Sequence, residues 1–146
     1  MALTLARYVR ARNGVPLGAR ASLPNMLCRS LGASSFAGFW RFWNPIWGYY
    51  LGRFIFRPAR RVLPPAPAVI LTFAVSGALH DLAVTLIRGD PTFLLTPWFV
   101  LMSLGLLLGE ALHMDLSARP WLVRASAHIA YIGACLWLAR ACPFPC

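Results

Sequence analysis

Lysine is missing from this chain of 146 residues, and no acidic residue occurs before Asp81. Only 12% of the residues are charged while 59% are hydrophobic, whereas a soluble domain gives about a quarter of its residues to charge. That shortage argues against an ordinary water-facing surface. The N-terminal stretch MALTLARYVRAR has charge but no apolar core and no cleavage-like site, which excludes a secretory signal. Its Arg-rich, acid-free character leaves a mitochondrial transit peptide as an alternative. No Gly-rich phosphate loop, GxSxG elbow or HExxH motif occurs, so nothing points to P-loop, α/β-hydrolase or zincin chemistry. The four cysteines form no CxxC pair and no zinc spacing with histidine. Cys142 and Cys146 flank Pro-Phe-Pro and either pair in an oxidising compartment or stay as thiols.

What is present is arginine and long apolar runs. Fourteen basic residues face four acids (Asp81, Asp90, Glu110 and Asp115), for a net charge of +10. Ten of the arginines precede Ala68, including Arg53, Arg57, Arg60 and Arg61. Basic residues beside a spanning segment hold the cytoplasmic side and meet anionic headgroups. No nucleic-acid motif accompanies them, so membrane lipids rather than nucleic acid are the expected partner. Runs at about 68–87, 92–112 and 121–139 are long enough to span a bilayer. With Arg88 and Arg140 alone outside, the N-terminus is expected to be cytoplasmic and the C-terminus external, as a multi-pass integral membrane protein. The expected fold is all-α: a basic N-terminal segment (1–35), then a membrane domain (36–146) of about three transmembrane helices. Residues 60–67 read as an extended Pro-rich linker into the first span, and residues 13–34 show no clear period.

Residues 36–56 are a different kind of element, with ten aromatics among 21 residues. Phe36, Trp40, Trp43 and Trp47 fall on one helical face, and Arg41, Asn44 and Gly48 on another. Asn before Pro is a helix N-cap followed by Pro at the first helical position. The pattern therefore predicts two short helices, interfacial or re-entrant, meeting at Asn44-Pro45. Asn44 is a candidate for capping, for polarising a substrate, or for both. Arg41 is either a headgroup anchor or a ligand for a donor's phosphate. Trp40 and Trp43 are interfacial anchors or the wall of a tunnel.

His80 lies roughly 18 Å along the 68–87 run, deep within a hydrocarbon layer about 30 Å thick. An ionisable side chain there is costly and normally faces a protein interior or a watery path. Thr72, Ser76 and His80 at i, i+4 and i+8 form a polar stripe. Ala74, Gly77, Ala78 and Asp81 form an adjoining small-residue surface where another helix or a substrate chain can approach. A neutral imidazole can take the proton of an alcohol as its oxygen attacks an acyl carbon. The plainer alternative is a histidine hydrogen-bonded within the helix packing. Asp81 either pairs with an arginine, orients the site through water, or joins two helices. Glu110 and His113 stand at the i, i+3 spacing of some metal ligands but lack a second such pair, so no metal is expected. His128 reads as packing or as a secondary polar contact at the site.

These segments resemble a known family. SSFAGFWRFWNPIWGYYLGRFIFRPARR followed by LTFAVSGALHD is similar to the membrane-bound O-acyltransferases, nearest the branch of wax synthases and sterol and diacylglycerol acyltransferases. Phe39-Trp40, Trp43-Asn44, Phe56-Arg57-Pro58, and Ser76-Gly77 with His80 carry the likeness, over about residues 24–87. The resemblance implies that His80 is the intramembrane catalytic histidine and Asn44 the second signature polar residue. It also implies an acyl-CoA-type thioester as co-substrate, with no bound cofactor, and a lipophilic alcohol as acceptor. Trp40, Trp43, Arg41, Ser76 and Asp81 are the residues expected around the substrate. The chain departs from the family in two ways: the motif begins close to its N-terminus, and Asp follows the histidine. A homo-oligomer, or a chain lacking upstream helices, is therefore expected. The alternatives are a non-catalytic membrane subunit or fragment of that family, and a small His-based transporter.

Overall fold

The computed structural model describes residues 4–141, so the expectation for Cys142 and Cys146 lies outside the described residues. All regular structure within them is helical. The elements are α1 (Leu5–Asn13), α2 (Ser22–Leu31), α3 (Phe36–Phe42) and α4 (Pro45–Leu51), which passes through a π-helical turn (Gly52–Phe56) into α5 (Arg57–Ala59). Three longer helices follow: α6 (Pro65–Arg88), α7 (Leu95–Ala111) and α8 (Trp121–Ala141). The all-α expectation holds. So does the pair of short helices broken at Asn44.

Three sequence readings need correction. Helix α6 begins at Pro65, inside the segment read as an extended linker. A proline in the first helical turn forfeits nothing, because the N–H groups there have no intrahelical acceptor. Helix α7 has 17 residues rather than the 92–112 run, because its first backbone donors are claimed by Asp81 at Leu94–Thr96. Residues 13–34 contain α2, and the Arg-rich start folds as α1, closed by Gly14 in the left-handed region (φ 81°).

Helices α6 and α8 are each long and apolar enough to cross a membrane, and only 22% of the most apolar stretch of each is buried within the chain. Leu82, Leu86, Ile87, Leu122, Ile129 and Trp137 are among the exposed apolar side chains. Helix α6 is antiparallel to α7, with Gly77 against Thr96 and Leu95, and Phe73 and His80 against Phe99. A Cβ on Gly77 would come within 2.6 Å of the Thr96 Cα and 2.7 Å of the Leu95 carbonyl oxygen. Only a residue without a side chain permits that crossing, which is the use of small residues foreseen for this face.

Two aromatic heads reach across to backbone carbonyls between α7 and α8. Tyr131 donates its hydroxyl to Leu101 (3.0 Å) and Trp98 donates its indole N–H to Ile132 (3.0 Å). Gly105 makes room for the Tyr131 ring. The N-terminal helices dock on this hairpin stack through Trp121, whose indole donates to Cys28 (3.1 Å), and through buried His128, which donates Nε2–H to Ala33 (3.0 Å). Helix α3 therefore lies wedged between α7 and α8, with Phe36 packed on His128 and Tyr131, and Trp40 on Phe73 and Phe99.

Candidate functional site

Helix α3 must stop before α4 can turn back across α6, and Asn44 makes the corner. It adopts φ 38° and ψ 70°, a left-handed conformation that asparagine tolerates better than most residues. Its Oδ1 accepts the Trp47 N–H (3.2 Å), and Pro45 follows, buried, at the first helical position. The cap uses the oxygen of the amide and leaves its NH2 to donate elsewhere.

The turn sets Trp47 over the polar stripe of α6. Its indole N–H donates to the Ser76 hydroxyl (2.9 Å), and its ring meets that of His80 edge-on at 5.6 Å. The imidazole also stacks on Phe99 at 5.1 Å. His80 Nδ1 lies 2.6 Å from the Ser76 backbone oxygen. A carbonyl oxygen only accepts, so Nδ1 carries the proton in that contact, and in the neutral ring Nε2 is left with the lone pair.

A cavity of about 240 Å3 opens against these groups. Asn44, Thr72, Ser76 and His80 all line it, with Trp40, Trp43 and Trp47 as aromatic wall. The whole stripe read from the sequence thus meets the amide 36 positions upstream in one space. The π-helical turn contributes Gly52 and Phe56 to the rim, a distortion frequent where a helix is shaped for function.

Not every expected residue arrives there. Arg41 is exposed and lines neither this cavity nor the larger one described below. Asp81 is buried (4% exposed) and turned to the start of α7. It accepts from the N–H groups of Leu94 (3.0 Å), Leu95 (2.8 Å) and Thr96 (2.7 Å) and from the Thr96 hydroxyl (2.7 Å). The carboxylate is therefore a helix cap at the N-terminal end of a dipole, not a partner of His80.

Sequence reading missed Tyr8, Leu51 and Phe99, which also line the cavity. Tyr8 comes from α1 and meets Tyr49 edge-on at 5.5 Å, closing one side. Nothing local in LARYVRARN signals that contact. Trp40, part of the cavity wall, has its indole nitrogen buried without a hydrogen-bond partner.

A second cavity, of about 750 Å3, lies on the other side of α3, between the end of α7, the following loop and α8. Glu110, His113, Asp115 and His128 line it. No group of three or more His, Cys, Asp or Glu among the described residues is arranged to hold a metal ion. No protein-family model, curated protein or solved structure matches this chain.

Proposed function

We propose that this protein is a membrane-embedded O-acyltransferase that moves a fatty acyl group from an acyl-CoA-type thioester to a lipophilic hydroxyl acceptor. The observation that carries the reading is the tautomer imposed on His80. With Nδ1–H held by the Ser76 carbonyl, Nε2 is the basic nitrogen of a ring that lines the same cavity as Asn44.

In the proposed reaction the acceptor hydroxyl attacks the thioester carbon while Nε2 takes its proton. The Asn44 NH2 donates to the oxygen that becomes negative in the tetrahedral intermediate. Collapse breaks the carbon–sulfur bond, the thiolate takes the proton from the imidazolium, and an ester and a free thiol leave. The cavity, on which the exposed side chains of Asn44 and His80 border, is smaller than the roughly 300–1,000 Å3 of a typical small-molecule site. It suits the reacting ends of the two substrates, with their chains running out through the open mouth into lipid.

The membrane setting has its own support. In water the apolar side chains exposed along α6 and α8 would form far more than the scattered apolar surface of a soluble protein. The proposed orientation keeps the N-terminus cytoplasmic and the C-terminus outside. The family proposed for the chain is the membrane-bound O-acyltransferases, on the motif residues given above.

The test is reconstitution of the full chain with labelled acyl-CoA and a panel of long-chain alcohols, sterols and diacylglycerol. Ester formation by wild type and its loss in a folded His80→Ala variant is the expected result. Equal silence of both, with the protein folded, overturns the enzyme and leaves the non-catalytic membrane subunit.

A further inference from the structure

One flank of the smaller cavity is built from the same local pattern used twice. Tyr8 and Arg12 on α1 stand four residues apart, and so do Tyr49 on α4 and Arg53 in the π-helical turn that follows. That spacing puts each arginine on the same helical face as its tyrosine. The Arg12 guanidinium lies over the Tyr8 ring, 5.1 Å from its centroid, and Arg53 Nη1 donates to the Tyr49 hydroxyl (3.0 Å). Helix α1 packs on α4 so that the two tyrosine rings meet, 5.5 Å apart. Two cations from distant parts of the sequence are thus tethered to one aromatic pair.

Neither cation lines the cavity, but each adjoins a residue that does. Tyr8, beneath Arg12, belongs to the wall, and so does Gly52, the chain neighbour of Arg53. No acid of this chain answers them. Asp81 is the first acid in the sequence and caps α7, Asp90 sits in the turn between α6 and α7, and Glu110 and Asp115 stand at the end of α7. The compensating charge comes from outside the protein. A guanidinium held by a ring or a hydroxyl keeps further N–H donors for that anion, and its planar fork fits a phosphate.

Position narrows what the phosphate belongs to. Trp47 touches both Ser76 and His80, and Arg53 follows it by six residues, roughly 9 Å of helix. A ligand that reaches both places carries its phosphate well away from its reacting carbonyl, at the far end of an extended arm. In a glycerophospholipid the phosphate and the ester carbonyls are close neighbours, whereas in a CoA thioester the pantetheine arm separates them. We propose that Arg12 and Arg53 bind the phosphates of the acyl donor, whose arm passes the Tyr8–Tyr49 edge into the cavity. The identity of the donor rests on the acyl-transfer reading. The role expected of Arg41 passes to these two arginines, and Arg12 lies outside the stretch that carries the family resemblance.

Binding of two non-transferable thioethers to the full chain in neutral detergent tests it: S-hexadecyl-CoA, and S-hexadecyl-pantetheine, which lacks every phosphate. Arg12→Gln and Arg53→Gln should each weaken the CoA ligand about ten-fold and leave the pantetheine ligand unchanged. Arg53 is exposed, so its substitution opens no cavity in the core. Arg20→Gln, between α1 and α2, should change neither ligand. In turnover with palmitoyl-CoA the same two variants should raise KM while kcat holds. Equal weakening of both ligands, or of neither, overturns the proposal. So does an Arg53→Gln protein that binds the CoA ligand normally but no longer retains phosphatidylglycerol, because the pair would then hold a lipid headgroup. The two readings fail separately. Arginine-dependent CoA binding by a wild type that makes no ester with any acceptor keeps the phosphate site and removes the transferase. Ester formation with an unaltered KM in both variants does the reverse.

Discussion

An imidazole without an ionic partner has its proton placed by whatever hydrogen-bonds it, and for His80 that is a main-chain carbonyl four residues back. The arrangement survives any change to the Ser76 side chain, because the acceptor is backbone. Two substitutions thus separate two roles. His80→Gln keeps a donor toward the Ser76 carbonyl but has no basic nitrogen, and kcat should fall by about 10²–10⁴-fold with unchanged helical circular dichroism. Ser76→Ala instead strips the Trp47 indole N–H of its acceptor in a part-buried place. It should lower stability in detergent by about 1–3 kcal/mol while kcat falls far less than in His80→Gln. If Ser76→Ala is as inactive as His80→Gln yet equally stable, the hydroxyl itself takes part in proton transfer.

Between elements, the short α7 is governed by one carboxylate on its neighbour. Asp81 holds four donors at the α7 N-terminus, and Asp81→Asn turns an NH2 toward groups that also donate. Such a variant should lose about 1–3 kcal/mol of unfolding free energy, with activity per folded molecule retained, as titration with denaturant and parallel assays would reveal. Gly77→Leu, forced against the Thr96 backbone, should separate α6 from α7 and abolish both cavity and activity. The loop after α7 has a pH signature of its own. The Ser117 hydroxyl and N–H hold the Asp115 carboxyl below its ordinary 3.8. The folded loop thus binds that proton less readily than the unfolded chain. Its contribution is complete above 3.8 and fades as the pH drops through the lowered value. Protection of the Ser117 amide from hydrogen exchange, corrected for intrinsic rate, should accordingly stay flat from neutrality to about pH 5. The sequence made some of this legible and not the rest, for a physical reason. The corner at Asn44-Pro45 and the stripe Thr72–Ser76–His80 are local patterns, set by capping chemistry and helical spacing, and both were readable. The start of α7 and the docking of Tyr8 depend on partners 13 to 15 and about 40 positions away, which no window of hydropathy contains.

At the scale of the whole chain, charge and apolar surface must be reconciled in one placement. Ten arginines precede Ala68, while α6 and α8 keep most of their apolar stretches uncovered. Both demands are met if the helices lie in lipid and the arginines on one face of it, each worth about 1 kcal/mol against an anionic surface. The same placement fixes which loops are reachable. Asp90, in the turn between α6 and α7, then lies on the opposite side from Ser117, in the loop between α7 and α8. In a cysteine-free background, Asp90→Cys should react with a membrane-impermeant maleimide added to intact cells. Ser117→Cys should react only after permeabilisation. The reverse pattern would put the arginine-rich segment outside, away from any cytosolic acyl donor, and so remove the setting that the proposed chemistry requires. Equal labelling of both positions in sealed vesicles of uniform orientation would mean that α7 does not cross at all. Its 17 residues, about 26 Å of helix against a hydrocarbon layer of about 30 Å, make that the most exacting part of the test.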